Sequence, residues 1–136
     1  MVEQKEIILP PFGRGFHLIS NIIENSLSDL PNAGLLQVFI KHTSAGLSIN
    51  ENADPSVRID FETIFNKLVP ENSRDYVHVF EGKDDMPAHL KSSLTGHSLT
   101  IPIVNGRLGL GTWQGIYLCE FRYQGGRRKL LLTVIS

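Results

Sequence analysis

Apolar and polar positions change their period several times along the chain. "EQKEIIL" at 3–9 and "GFHLI" at 15–19 read as two strands, with Pro10, Pro11, Gly13 and Gly15 punctuating the passage between them. Ile22, Ile23, Leu27 and Leu30 then fall on one side of a short helix that Ser20 can cap and that Pro31 and Gly34 end. "LLQVFIKH" is a strongly apolar strand that delivers His42 at its C-terminal end, and "LSIN" is its short continuation after "TSAG". The period lengthens in "DPSVRIDFETIFNKLVP": Asp54 is the predicted N-cap, Pro55 the first helical residue, and Val57, Phe61, Ile64, Phe65 and Leu68 form one apolar stripe before Pro70.

"YVHVF" alternates, which predicts a strand with Tyr76, His78 and Phe80 on one side. A third helix starts at Asp85, its predicted cap, runs through Leu90 and Leu94 and closes at Gly96. The remainder reads as strand: "SLTIPI", an Asn105–Gly106 hairpin, "RLGLGT", "GIYLCEF", a Gly125–Gly126 turn and "KLLLTVI". This order predicts an α+β fold, a compact single domain over residues 1–136 with a large, mostly antiparallel sheet system and about three helices. Several strands are apolar on both faces, so each sheet should be covered on both sides, by helices or by another subunit.

Composition narrows the partners. With 41% hydrophobic and 20% charged residues the chain can bury a core, and a net charge of -1 gives no global field for a nucleic-acid backbone or an anionic membrane. The basic run "GGRRK" at 125–129 reads as a solvated turn. Cys119 is the single cysteine, so no intrachain disulfide forms, and a reducing cytoplasm is the expected compartment. No apolar run reaches the roughly 20 residues of a membrane span, and "MVEQKEIILPP" lacks a signal-peptide core.

Candidate chemistry gathers in three stretches. His42 opens "HTSAG", where small and hydroxyl residues leave room for a ligand; the bland alternative has His42 capping the strand end through a backbone hydrogen bond. In "HVFEGKDDMPAHLKSS" a short connector separates His78 from His89, and with His42 these imidazoles offer nitrogen ligands of the kind zinc favours, although the spacing matches no standard zinc motif. Glu81, Asp84 and Asp85 crowd the same helix start as tunable acids, Asp85 mainly as a cap and Asp84 either as an acid or simply solvated. "NENADPSVR" places Asn50, Glu51 and Arg58 at another helix start suited to anions, where Asp54 is explained by capping and Glu51 is not. "GRLGLGTWQGI" is neither GxGxxG nor a Walker sequence, so no nucleotide cofactor is expected; its glycines mark a bend that displays Thr112, Trp113 and Gln114.

"HTSAGLSINENADPSVRIDFE", "HVFEGKDDMPAHLKSSLTG" and "GRLGLGTWQGIYLCEFR" together resemble the YjbQ family (UPF0047), also called secondary thiamine-phosphate synthase-like. The resemblance covers nearly the whole chain. It implies an α+β fold assembled as a homotrimer, with a polar pocket built from the motif residues. It also implies a weak condensation of a hydroxymethylpyrimidine diphosphate with a thiazole phosphate, releasing pyrophosphate. On the residues themselves, the leading expectation is an enzyme whose His42, His78 and His89 bind a divalent metal such as zinc or magnesium, or a polar substrate, with Glu51, Glu81, Asp84 and His89 as the catalytic candidates and Glu51 or Glu81 as the proton carrier. Thr43, Ser44, Asn50, Arg58, Lys91, Thr112, Trp113 and Gln114 are the expected contacts of a small anionic or phosphorylated metabolite. Some relatives carry histidine where this chain has Phe121, so no mechanism here uses an imidazole at that position. A transferase and a metal-assisted hydrolase both remain open, and a metal- or metabolite-binding oligomer without catalysis is the alternative.

Overall fold

The computed structural model describes residues 1–136. Eight strands and three helices follow in the order β1 (Val2–Ile8), β2 (Gly15–Leu18), α1 (Ser20–Ser26), β3 (Ala33–Ile40), β4 (Ala45–Glu51), α2 (Pro55–Leu68), α3 (Asp85–Thr95), β5 (Ser98–Val104), β6 (Arg107–Leu108), β7 (Gln114–Glu120) and β8 (Lys129–Ile135). The strands form a five-stranded sheet, β1-β8-β3-β5-β6, and a three-stranded sheet, β2-β7-β4. Every pairing is antiparallel. Asn105 and Gly106 both take positive φ, 52° and 76°, and turn β5 into β6 as an Asn-Gly hairpin requires.

The two sheets face each other across the main core. Leu36, Val38 and Ile40 of β3, Ile101 and Ile103 of β5, and Leu130 and Leu132 of β8 meet Leu47 of β4 and Ile116 and Leu118 of β7, with Ile19 and Ile23 of the α1 region closing one side. The opposite face of the smaller sheet carries Phe16, Tyr117, Cys119 and Phe121, which pack against Ala88 of α3 and Phe61 and Phe65 of α2. Its central strand β7 is therefore covered on both faces, as its unbroken apolar run requires. The larger sheet is different. In β3 exposed and buried positions alternate, and Leu35 and Phe39 lie on an outer face that no other element covers, together with Val2 of β1, Val104 of β5 and Ile135 of β8.

Several boundaries differ from the sequence expectation. "YVHVF" has no regular secondary structure and pairs with no strand, and Val77 and Phe80 are almost fully exposed. The alternation therefore has no partner strand in either sheet. α1 stops at Ser26, short of Leu30, and begins after Ile19. Ser20 is its first residue rather than its cap, and its Oγ instead accepts the Ile116 N–H at 2.8 Å. β4 begins at Ala45, and only Arg107–Leu108 of "RLGLGT" is strand. Asp85 is not the cap of α3: the cap position is Asp84, which makes no side-chain capping bond, and Asp85 is the first helical residue. No helix is long and apolar enough to cross a membrane.

Candidate functional site

α3 begins where the irregular chain between residues 69 and 84 runs into the helical layer, and its first turns set Asp85 and His89 four residues apart on one face. The connector returns His78 to the same place. His78 Nε2 lies 2.7 Å from Asp85 Oδ2, and His89 Nε2 lies 3.0 Å from the same oxygen. One ligating atom from each of the three residues falls within 4.8 Å of the others. Glu81 Oε2 is 3.7 Å from His78 Nε2 at the exposed rim.

The far ring nitrogen of His89 decides what the near one offers. His89 Nδ1 is 2.8 Å from the Thr43 carbonyl oxygen, which only accepts, so Nδ1 carries a proton and donates. Nε2 then either holds a second proton for Asp85 or turns a lone pair toward the cluster. A backbone carbonyl that fixes the remote nitrogen in this way is the usual support of a metal-bound imidazole. Thr43 sits in the β3–β4 connector, which Gly46 brings against the end of α3: a Cβ there would lie 2.0 Å from Thr95 Oγ1 and 2.9 Å from the Gly96 carbonyl oxygen.

Arg122, just beyond β7, holds the other side. Its Nε donates to Asp84 Oδ2 at 3.0 Å, one terminal nitrogen donates to Asp85 Oδ1, and the other donates to the Glu81 carbonyl oxygen at 3.0 Å. The Tyr123 N–H also donates to Asp84 Oδ2, at 3.0 Å. Both aspartates are buried. Burial by itself would raise their pKa values, but the His78, His89 and Arg122 contacts outweigh it for Asp85, and the Tyr123 N–H and Arg122 do so for Asp84. Both stay below the ordinary carboxylate range. Asp85 thus presents an ionised Oδ2 to the two imidazoles while the guanidinium occupies Oδ1.

The remaining expected residues sort into separate places. His42 stands outside the three-residue cluster, and its Nε2 accepts the Lys129 N–H at 2.8 Å, the strand-end contact weighed as the bland reading. Ser44 Oγ accepts from Arg128, which is also paired with buried Glu120. Asn50 and Glu51 organise the turn into α2: Asn50 Oδ1 accepts the Glu51 N–H, and Glu51 Oε2 accepts the N–H groups of Ala53 and Asp54 at 2.9 and 2.8 Å. Thr112, Trp113 and Gln114 lie beside that turn, tied to it because Asn52 Nδ2 donates to the carbonyl oxygens of Thr112 and Gln114. Arg58 is half-buried in α2 with its Nε unpaired. Lys91 is 1% exposed and donates to Asn66 Oδ1, which Arg14 also contacts. Burial, then the charge of Arg14, pushes its pKa down.

An Asp-rich helix start with two histidines around it is legible in one sequence, whereas Arg122 lies 37 positions beyond Asp85 and carried no local signal. It closes the motif "GRLGLGTWQGIYLCEFR", but nothing in that stretch ties it to the start of α3.

The fold and site define a two-sheet α+β domain with one helical layer and a His-Asp-His cluster at a helix start. A sequence model described as "UPF0047 protein YjbQ-like" matches residues 5–136, and the chain belongs to that family. It is 50% identical over 133 residues to the UPF0047 protein YjbQ of Escherichia coli O157:H7, covering 96% of each chain, and 53% identical over 133 residues to that of Salmonella typhimurium, again covering 96% of each. Among solved structures, the conserved hypothetical protein TT1486 of Thermus thermophilus superposes with a TM-score of 0.82 at 36% identity, over 95% of this chain and 97% of that one. The hypothetical protein APE1520 of Aeropyrum pernix K1 gives 0.84 at 27% identity, over 98% of each. The function of the family is not established by these relatives.

Proposed function

We propose that this protein is a cytoplasmic enzyme of small phosphorylated or otherwise anionic metabolites, with a divalent metal such as zinc or magnesium held by His78, Asp85 and His89. The observation that carries the reading is the convergence of two imidazole Nε2 atoms on Asp85 Oδ2 with His89 Nδ1–H anchored on Thr43. The donor set fits an ion of this kind: two nitrogens and a buried carboxylate oxygen, with a tautomer already selected at one ring. A divalent ion bound there supplies Lewis acidity toward a phosphate or carbonyl oxygen.

Asp85 replaces His42 in this ligand set, because the His42 lone pair is engaged by Lys129. Glu81 is the better proton carrier of the two glutamates: it reaches the cluster at the exposed rim, while the Glu51 carboxylate is spent on two backbone N–H groups. The reaction class within this reading is a condensation like that of thiamine phosphate synthase, as the motif resemblance implies, or a metal-assisted hydrolysis. Lys91 is too enclosed to meet a substrate phosphate and belongs to the interior polar network of Arg14, Asn66 and Glu71.

A second reading has a specific observation behind it. The uncovered outer face of the five-stranded sheet, with Leu35, Phe39, Val104 and Ile135 exposed, favours assembly of several copies, a homotrimer in the motif-based expectation. A metal-binding oligomer without turnover would use the same cluster.

Elemental analysis of untagged protein, with His78→Ala, Asp85→Asn and His42→Ala alongside, tests the metal. About one ion per chain, lost in the first two variants and kept in the third, supports the cluster. Absence of metal from protein prepared under replete conditions would sink it. Turnover by the metal-loaded protein that falls by about 100-fold in Glu81→Gln separates the enzyme from the binder.

A further inference from the structure

Beside the cluster lies an open cavity of about 500 Å³ that shares His89 as one wall. Its other lining side chains include Phe39, Lys41, His42, Thr43, Ser93 and His97, and no carboxylate is among the lining residues. His97, at the start of the loop into β5, sets its ring edge-on to Phe39 with centroids 5.6 Å apart, which gives the cavity one aromatic side.

His42 distinguishes a site for an anion from a site for a cation. Its Nε2 accepts a backbone N–H, so the lone pair a metal would need is occupied. In the neutral ring the proton must then sit on Nδ1, and no protein acceptor is bonded to it. Burial, then the charges of Arg128, Lys129 and Lys41 in the surroundings, lower the His42 pKa, and only Glu120 opposes them. The Arg128 charge is met by Glu120 at 2.6 Å and that of Lys41 by Glu6 at 2.8 Å on the outer surface, while Lys129 has no carboxylate partner. The hydroxyls of Thr43 and Ser93 add donors that no protein group uses, whereas the Ser92 hydroxyl is already given to the Ala45 carbonyl oxygen.

We propose that this cavity binds the phosphate or carboxylate group of a small-molecule ligand, with His42 Nδ1–H, the Thr43 and Ser93 hydroxyls and the His97 imidazole as its donors and Phe39 beside its apolar part. The cavity would hold the anionic group of the substrate suggested above, and it rests on that reading only for the identity of the whole molecule. His97 takes a binding role here, and His42 becomes a donor rather than a metal ligand.

The test uses inorganic phosphate on metal-free protein. Imidazole nitrogen and proton resonances are followed during the titration, and affinity is measured calorimetrically for the wild type, His42→Ala, His97→Gln, Ser93→Ala and Asp85→Asn. The expected result is saturable movement of the His42 and His97 ring signals and a loss of about tenfold or more in His42→Ala and His97→Gln. Asp85→Asn retains phosphate binding even though its metal site is destroyed, so failure of the metal reading leaves this outcome intact. Movement confined to His78 and His89, equal affinity in the cavity variants, or no saturable binding would each overturn the proposal. Because the wild-type ring signals report the site directly, a variant that fails to fold does not decide the result.

Discussion

α2 and α3 both open on an aspartate followed within a few residues by proline, yet the two aspartate sites do different work. At α2 the exposed Asp54 accepts the Ser56 N–H at 2.9 Å, and Pro55 needs no partner for a nitrogen that has no proton. At α3 neither aspartate caps. Asp84 is committed to Arg122 and the Tyr123 N–H, and Asp85 to Arg122 and two histidines. A carboxylate spent on its own helix end is a folding device. One that is buried and turned away from the helix end, with imidazoles around it, is available to a proton or a metal.

Removing the second kind should cost most. Asp85→Ala leaves Arg122 and two imidazoles without their shared carboxylate, and we expect a loss of about 3 kcal/mol in urea unfolding together with loss of stoichiometric metal. Arg122→Lys keeps the charge but cannot span Asp84, Asp85 and the Glu81 carbonyl at once. Unfolding should show about 2 kcal/mol lost and metal affinity should weaken without vanishing. Asp54→Ala removes only a cap, lowers the unfolding midpoint least of the three and leaves metal content unchanged. Equal metal loss in Asp54→Ala and Asp85→Ala would erase the contrast between the two helix starts.

The smallest effect is a slope with pH, read in metal-free protein. Asp84 and Asp85 have folded-state pKa values below their unfolded ones. Their contribution is therefore full above the unfolded value of about 4 and is lost as pH falls through the depressed folded values. His42, a base held neutral in the fold, acts in a separate window. The unfolded chain takes up its proton first, so stability declines as pH falls below about 6.5 and stops declining once the lowered folded value is passed. Unfolding curves from about pH 7 to 3 should show both windows, the lower one flattened in Asp85→Asn and the upper one in His42→Asn.

Legibility followed sequence distance. β3, β5, β7 and β8 could be read because the faces they bury run along their own length, and α2 because Phe61 and Phe65 of its apolar stripe pack on the smaller sheet, although Ile64 and Leu68 of that stripe stay exposed. "YVHVF" has the same alternation but pairs with no strand, and a period of two does not encode a partner. His78 and His89 could be singled out from one short stretch, and Asp85 was noticed there as a cap because Pro87 follows it. That it is buried instead depends on Arg122, on the Thr43 carbonyl that holds His89, and on Gly46 letting that connector approach α3. All three are far from Asp85 along the chain. Lys91, expected to meet a substrate anion, is instead enclosed, with its ammonium 5.8 Å from the Phe121 ring centroid and bonded to Asn66, neither of which is near it in sequence.

Arg122 also sets an order in time. A ribosome delivers Thr43, His78, Glu81, Asp84, Asp85 and His89 before it delivers the guanidinium that ties three of them together. Until β7 has emerged and paired with β2 and β4, nothing ties Asp84, Asp85 and the Glu81 carbonyl together. Closure of the cluster is thus one of the last events of synthesis, and a chain halted at the end of β7 would hold His78, Asp85 and His89 yet lack the clasp.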